Sequence, residues 1–159
     1  MKRFFLLLTI LLSAICCKNS GSEKAEKFTK NEKGEIYIVI LETYNYQKTT
    51  PSFLTKSEFE TVNKILPKTI EKMNSDMGKF FGNSKSNVPV NLKGYVRQYC
   101  PYINKLGEKE VFINCMCHVH SDSWKNEIYG VSGGGKCFFF GIINLKTGKF
   151  REFMINAPI

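Results

Sequence analysis

Two cysteines and two histidines lie in one six-residue run, Cys115 to His120. Two thiols and two imidazoles are a ligand set typical of zinc. The alternation of residue types from Val111 to His120 predicts a β-strand, which places Cys115 and Cys117 on one face and His118 and His120 on the other. Four side chains divided between two faces cannot close on one ion. We therefore expect no metal and no cofactor here, and a structural role for the strand.

The cysteines beyond the N-terminal segment are even in number, which favours disulfides in an oxidising compartment: Cys100, Cys115, Cys117 and Cys137. A bridge between Cys115 and Cys117 is strained, because their side chains are two positions apart on one strand. Cys100 precedes them on the neighbouring strand across a short turn, so we expect it to reach Cys115 or Cys117. The alternative is that all four are buried thiols that pack as small apolar side chains.

Other motifs predict no catalytic residue. The run Ser132 to Lys136 has the glycines of a phosphate loop, but it lacks the required spacing, has Cys137 where Ser or Thr is needed, and precedes a strand. Nucleophilic catalysis by Cys117 needs a neighbouring base, and both histidines are expected to point away from it. Nothing in the sequence fixes an acid and base pair among the nearby carboxylates, which are Glu108, Glu110, Asp122 and Glu127.

The N-terminal segment is typical of an export signal. Lys2 and Arg3 are followed by an apolar run from Phe4 to Leu12, and then by small residues and a cysteine pair. A membrane-spanning helix needs about 20 apolar residues, so this run is too short to be one. The sequence therefore predicts an exported protein.

The cysteine pair after this run resembles the lipobox of bacterial lipoproteins. The resemblance implies that one cysteine is acylated and becomes the first residue of the mature chain. Cys17 follows the small Cys16, whereas Cys16 follows Ile15, so Cys17 is favoured and Cys16 is the alternative. Ordinary signal-peptidase cleavage would instead give a soluble secreted or periplasmic protein.

The residues after the cysteine pair, Lys18 to Lys33, are polar and poor in large apolar side chains. Such a segment cannot bury enough surface to offset its ordering entropy, and is typical of a tether. We expect a signal peptide over residues 1–16, a flexible tether over residues 17–35 and a single domain over residues 36–159.

The chain is basic, with 23 Lys and Arg against 14 Asp and Glu and a net charge of +9. The lysines are scattered rather than clustered, which is typical of a solvated surface, although such a balance permits adhesion to anionic surfaces. No nucleic-acid-binding motif is present, and we expect no nucleic-acid partner.

One amphipathic helix is expected from Ser57 to Asn74. Ser57 and Glu60 have the spacing of a capping box, and the helix has one apolar face, formed by Phe59, Val62, Ile65, Leu66, Ile70 and Met73. Pro67 lies inside this pattern and should kink or split the helix near Leu66.

Strands are expected before and after the helix, each rich in β-branched and aromatic residues. They are Ile36 to Tyr46, Gly94 to Ile103, Val111 to His120, Trp124 to Val131, Cys137 to Leu145 and Lys149 to Asn156. We expect an α+β fold in which one N-terminal strand and one helix pack on a four-stranded antiparallel meander sheet, one strand fewer than the five candidate segments after the helix, with a cystatin-like outline.

Three segments resemble a group of short, mostly uncharacterised exported proteins and lipoproteins of Bacteroidota: TKSEFETVNKILPKTIEKMN, YVRQYCPYINKLGEKEVFINCMC and SWKNEIYGVSGGGKCFFFGIINLKTGKFREFMINAPI. The resemblance extends from Leu54 to the C-terminus. It implies an α+β fold and an exported protein, and it implies no activity and no catalytic residues.

These observations favour a non-enzymatic cell-envelope lipoprotein, tethered to a membrane by its N-terminal lipid, that binds an unknown protein or glycan partner. The alternative from another class is a small envelope hydrolase or metal-binding protein that uses the Cys115–His120 strand. A structural or stress-related lipoprotein without a specific ligand is the third hypothesis.

Overall fold

The computed structural model describes residues 23–81 and 89–158, which form one long helix and a mostly antiparallel sheet. The elements in chain order are β1 (Phe28–Lys30), β2 (Ile36–Ile40), β3 (Thr50–Pro51), α1 (Lys56–Phe81), β4 (Val96–Ile103), β5 (Lys109–Met116), β6 (Phe138–Asn144) and β7 (Phe150–Ile155). The predicted α+β class is confirmed. The predicted strand number is wrong, because the sheet of the described chain has seven strands rather than one N-terminal strand and a four-stranded meander.

The strand order is β1-β2-β4-β5-β6-β7, and β3 also pairs with β4. β4 to β7 form an antiparallel meander. β2 runs parallel to β4, with Ile40 opposite Tyr99, so the chain must cross over between them, and α1 lies in that crossover. The short β3 lies along the same edge of β4, with Thr50 opposite Ile103. The cystatin-like outline therefore does not describe the N-terminal half of the sheet.

The N-terminal cap of helix α1 is Thr55, two residues before the predicted cap. The Oγ1 of Thr55 accepts a hydrogen bond from the backbone N of Glu58 at 3.3 Å, and the Glu58 carboxylate accepts one from the backbone N of Thr55 at 2.9 Å. This reciprocal pair is a capping box, so the assignment of the cap to Ser57 and Glu60 is wrong.

The helix continues to Phe81 without being split at Pro67. Pro67 is exposed, and the buried side chains of Leu66 and Ile70 hold the helix on both sides of it. The predicted apolar face is the one that packs on the sheet: Val62, Leu66 and Ile70 are buried with Tyr99, Ile113 and Ile143 in one core cluster.

The opposite face of the sheet is covered by residues 117–137, which we call the cover loop. Trp124 packs there against a second cluster that includes Val39, Cys100 and Phe112, and Ile128 and Tyr129 lie at its margin. The prediction of a strand from Trp124 to Val131 is wrong. This stretch is a short 3₁₀ turn, Asp122–Lys125, followed by irregular backbone.

Two buried side chains of the sheet bind the backbone of the cover loop. The amide nitrogen of Gln98 donates to the carbonyls of Trp124 at 2.6 Å and Glu127 at 2.5 Å, and its oxygen accepts from the backbone N of Tyr129 at 2.9 Å. Asn114 donates to the Tyr129 carbonyl and to the Gln98 oxygen, both at 2.8 Å. Since buried backbone groups need partners, these side chains replace the neighbouring strand that the loop lacks.

The domain also begins earlier than predicted. Residues 23–35 were expected to belong to a flexible tether, but Ala25 is buried, its backbone N binds the Leu54 carbonyl at 2.8 Å, and Phe28–Lys30 forms β1. The predicted signal peptide and the cysteine pair, Cys16 and Cys17, lie outside the described residues. Among residues 23–81 and 89–158, no helix combines the length and apolar character that crossing a bilayer requires.

Candidate functional site

Strand β5 ends at Met116, so Cys117, His118 and His120 do not continue its alternation. Met116 pairs with Phe138, which is the first residue of β6. Beyond this pair the backbone N of Cys117 donates to the Cys137 carbonyl at 2.9 Å. The prediction that Cys115 and Cys117 lie on the same face of one strand is therefore wrong. Cys115 is buried in β5, whereas Cys117 lies beyond its end and is exposed.

The structure contains a disulfide between Cys117 and Cys137, whose Cα atoms are 5.1 Å apart. This spacing lies in the ordinary range for such a bridge. The disulfide joins the two ends of the cover loop, which are 20 residues apart in sequence. The pairing of Cys100 with Cys115 or Cys117 is therefore wrong.

Cys100 and Cys115 are free thiols on opposite sides of the sheet. Cys100 belongs to the cluster under the cover loop, and Cys115 to the cluster under α1. Burial raises the pKa of the Cys115 thiol to about 12 and also raises the pKa of the Cys100 thiol, so both stay protonated near neutral pH. Their alternative role as small apolar side chains fits these positions.

His118 lies beside the disulfide rather than away from it, and His120 lies next to His118. The Nδ1 of His118 is 3.3 Å from the Sγ of Cys137, and its ring meets the Phe138 ring edge-on with centroids 5.2 Å apart. The His120 ring is 4.7 Å from the His118 ring, between centroids. The expectation that both imidazoles sit apart from any thiol is wrong for His118.

Cys117, His118 and Cys137 form the one group of metal-type donors found in the described part of the chain, with ligand atoms all within 4.8 Å of one another. Cys115, named with them in the sequence, is buried under α1 and does not join the group. Cys137 takes its place. Sequence spacing could not have found Cys137, because the β5–β6 register brings it to Cys117.

The glycine-rich run before Cys137 forms the turn that leads into β6. Gly134 has a φ of 83°, and a side chain there would lie 2.6 Å from the Phe138 ring, so only glycine fits. The Asn156 amide, at the end of β7, donates to the carbonyls of Val131 at 2.9 Å and Gly133 at 2.8 Å. These contacts fix the path by which the cover loop returns to β6.

A second polar cluster surrounds Glu110, which is 3% exposed. Its carboxylate accepts hydrogen bonds from Tyr102 at 2.8 Å, Arg151 at 2.5 Å and Asn144 at 3.3 Å. Burial alone would raise the pKa of Glu110, but these hydrogen bonds, that of Arg151 foremost, hold it below its usual value. A carboxylate with this many partners is a satisfied structural charge.

Glu108 and Asp122, two other carboxylates considered in the sequence, each form an ion pair. Glu108 accepts from Lys146 and Asn144, both at 2.9 Å, and these bonds lower its pKa. Asp122 pairs with Lys125 at 2.6 Å. Neither arrangement places a free acid next to a free base.

Comparison with family models, with curated proteins and with solved structures finds no match to this chain. Membership of the Bacteroidota group stays a prediction, and the chain's own geometry carries the proposals that follow.

Proposed function

We propose that this protein is an exported cell-envelope lipoprotein, tethered to a membrane through Cys17 or Cys16, whose domain binds a partner without catalysing a reaction. The observation that carries the proposal is the Cys117–Cys137 disulfide in a chain that begins with an export-type segment. Disulfides form and persist in oxidising compartments and are rare in the cytosol. Two independent features of the chain thus favour the same compartment.

The early start of the domain makes the proposed tether short. If Cys17 carries the lipid, residues 18–22 separate it from Glu23, whose carbonyl accepts from the backbone N of Lys56 at 2.8 Å. Five residues span at most about 18 Å when fully extended. The domain would then stay next to the membrane, where the basic balance of the chain favours anionic headgroups.

We assign partner binding to the surface around Lys109, on the edge formed by β3, the start of α1 and the β4–β5 turn. Phe53 is 44% exposed and Leu106 is 83% exposed, which makes them two of the large apolar side chains left in solvent. Lys109 lies beside Phe53: its Nζ is 5.0 Å from the Phe53 ring centroid and 2.8 Å from the Glu58 carboxylate.

A cleft of about 410 Å³ lies beside Leu106 and is lined by Glu58, Glu108 and Lys109 among others. Apolar anchors beside paired charges are typical of protein interfaces. Because α1 packs on one face of the sheet and the cover loop on the other, we assign partner binding to this edge.

Mass spectrometry of the mature N-terminus, combined with membrane fractionation, tests the anchor. We expect an acylated Cys17, or Cys16, and release of the protein from membranes when both are replaced by Ser. The double variant Cys117→Ser with Cys137→Ser is the matched control, and it should stay in the membrane fraction. An unmodified N-terminus beyond Cys17 would leave plain secretion and overturn the anchor.

Photo-crosslinking in intact cells tests the binding surface. A photo-reactive residue at Leu106 should give a discrete adduct that disappears when Phe53 is changed to Ser. The same residue at Lys33, which is exposed on the β1–β2 turn, should give none. Equal labelling from the two positions would contradict the assignment of the Lys109 surface.

A further inference from the structure

The Cys117–Cys137 disulfide and the adjacent His118 form what we call the Cys117–Cys137 corner. We propose that reduction of this disulfide creates a binding site for a thiophilic divalent cation of the Zn²⁺ class. Its ligands are Cys117, Cys137, His118 and His120. The disulfide is the closed, metal-free form of the site. This inference is independent of the tether and of the Lys109 surface, and it concerns the same disulfide that favours an exported protein.

The donor atoms are already close to the required spacing. A tetrahedral zinc site with sulfur and nitrogen ligands holds its donors about 3.3–3.8 Å apart. His118 Nδ1 lies 3.3 Å from Cys137 Sγ, and the three donors of Cys117, His118 and Cys137 lie within 4.8 Å. Once the sulfur–sulfur bond is broken, rotation of the two cysteine side chains can widen their separation to a ligand distance.

His120 lies outside the group of donors within 4.8 Å of one another, and its side chain must turn to supply the fourth ligand. Two imidazoles that share one tetrahedral ion have ring centroids roughly 5 Å apart, and those of His118 and His120 are 4.7 Å apart. The backbone N of His120 donates to the Tyr129 hydroxyl at 3.2 Å, which holds this turn of the cover loop near the corner. Cys117, His118 and His120 are all exposed, so a cation and a reductant can both reach them.

The donor chemistry selects the class of cation. Thiolates and imidazoles favour Zn²⁺ and other thiophilic ions, whereas Mg²⁺ and Ca²⁺ prefer oxygen ligands. Reaching the metal-binding form needs a two-electron reductant. A dithiol attacks the disulfide, passes through a mixed disulfide, and leaves as its own disulfide, which transfers two electrons and two protons to Cys117 and Cys137. A phosphine gives the same two thiols and becomes its oxide, with the oxygen and the two protons supplied by water. Binding of Zn²⁺ then displaces the two thiol protons.

Titration with Co²⁺ followed by competition with Zn²⁺ tests the site. The full chain carries Cys16→Ser and Cys17→Ser, so that no N-terminal thiol competes, and is kept reduced with a phosphine. We expect one Co²⁺ per chain, with thiolate-to-metal charge-transfer bands and the visible bands of tetrahedral cobalt, displaced by Zn²⁺. The oxidised chain should show neither.

Variants then separate this site from the other thiols. His118→Ala and His120→Ala should each weaken Zn²⁺ binding at least about tenfold, and they retain the disulfide in the oxidised chain, so circular dichroism can verify their fold. Cys100→Ala is the matched control and should bind as the parent does. Binding equal in the reduced and oxidised chains, or unchanged in both histidine variants, would overturn the proposal.

Discussion

The two faces of the sheet are covered by different means. On one face, α1 satisfies its own backbone groups and packs through apolar side chains such as Leu66 and Ile70. On the other, the cover loop has no strand partner, and Gln98 and Asn114 supply hydrogen bonds to its backbone. A helix needs only apolar contact from a sheet, whereas a loop also needs polar partners. The disulfide belongs to the cover-loop face, because it joins the two ends of that loop.

The largest effect should come from the helix face. Leu66 is fully buried, so Leu66→Ala should lower the free energy of unfolding by about 2–5 kcal/mol through lost burial and a cavity. Chemical denaturation measures it. Lys68→Ala, on the exposed side of α1, is the control and should be nearly neutral. A neutral Leu66→Ala would remove the contrast between the faces.

The disulfide should contribute the next largest effect. Replacing Cys117 and Cys137 together by Ser should lower the free energy of unfolding by about 2–4 kcal/mol, because the unfolded chain regains the freedom that the bridge removes. Amide hydrogen exchange should quicken in the cover loop and stay unchanged at the centre of α1. Equal quickening on both faces would show that the bridge does not act on the loop in particular.

The hydrogen bonds from Gln98 to the cover loop should have the third largest effect on the free energy of unfolding. Gln98→Leu leaves the carbonyls of Trp124 and Glu127 and the backbone N of Tyr129 without this partner, which should cost about 1–3 kcal/mol. We expect faster hydrogen exchange at the backbone amide of Tyr129, measured relative to the amides of α1. Unaltered exchange there would mean that apolar contacts alone hold the loop.

The smallest effect concerns the start of α1. Thr55→Ala should cost about 1 kcal/mol, since it removes the side-chain acceptor of the capping box. Ser57→Ala should cost less than about 0.5 kcal/mol. Thermal unfolding of the two variants compares them directly, and the reverse order would restore Ser57 as the cap.

The helix face could be predicted because its signal is local. Apolar residues at helical spacing identified both α1 and its buried side. The cap was misplaced because Thr55 with Glu58 and Ser57 with Glu60 have the same spacing, and a tertiary contact distinguishes them: Lys109 binds Glu58 at 2.8 Å.

The loop face could not be predicted from one sequence because its signals are not local. Alternation alone extends β5 to His120, but both neighbouring strands end opposite Met116, with Val96 of β4 and Phe138 of β6. Cys117 therefore lies beyond the end of β5, next to Cys137. Gln98 and Asn114 bind the backbone of the cover loop because that loop, which follows them in the sequence, packs over them in the fold.

Disulfide mapping of the protein purified from its native compartment under acid quench, with free thiols alkylated before digestion, tests the account most directly. We predict one linked peptide pair containing Cys117 and Cys137, with Cys100 and Cys115 alkylated only after unfolding. A bridge that includes Cys100 or Cys115, or a protein with all four thiols free, would contradict the division between the two faces and the assignment of the Cys117–Cys137 corner.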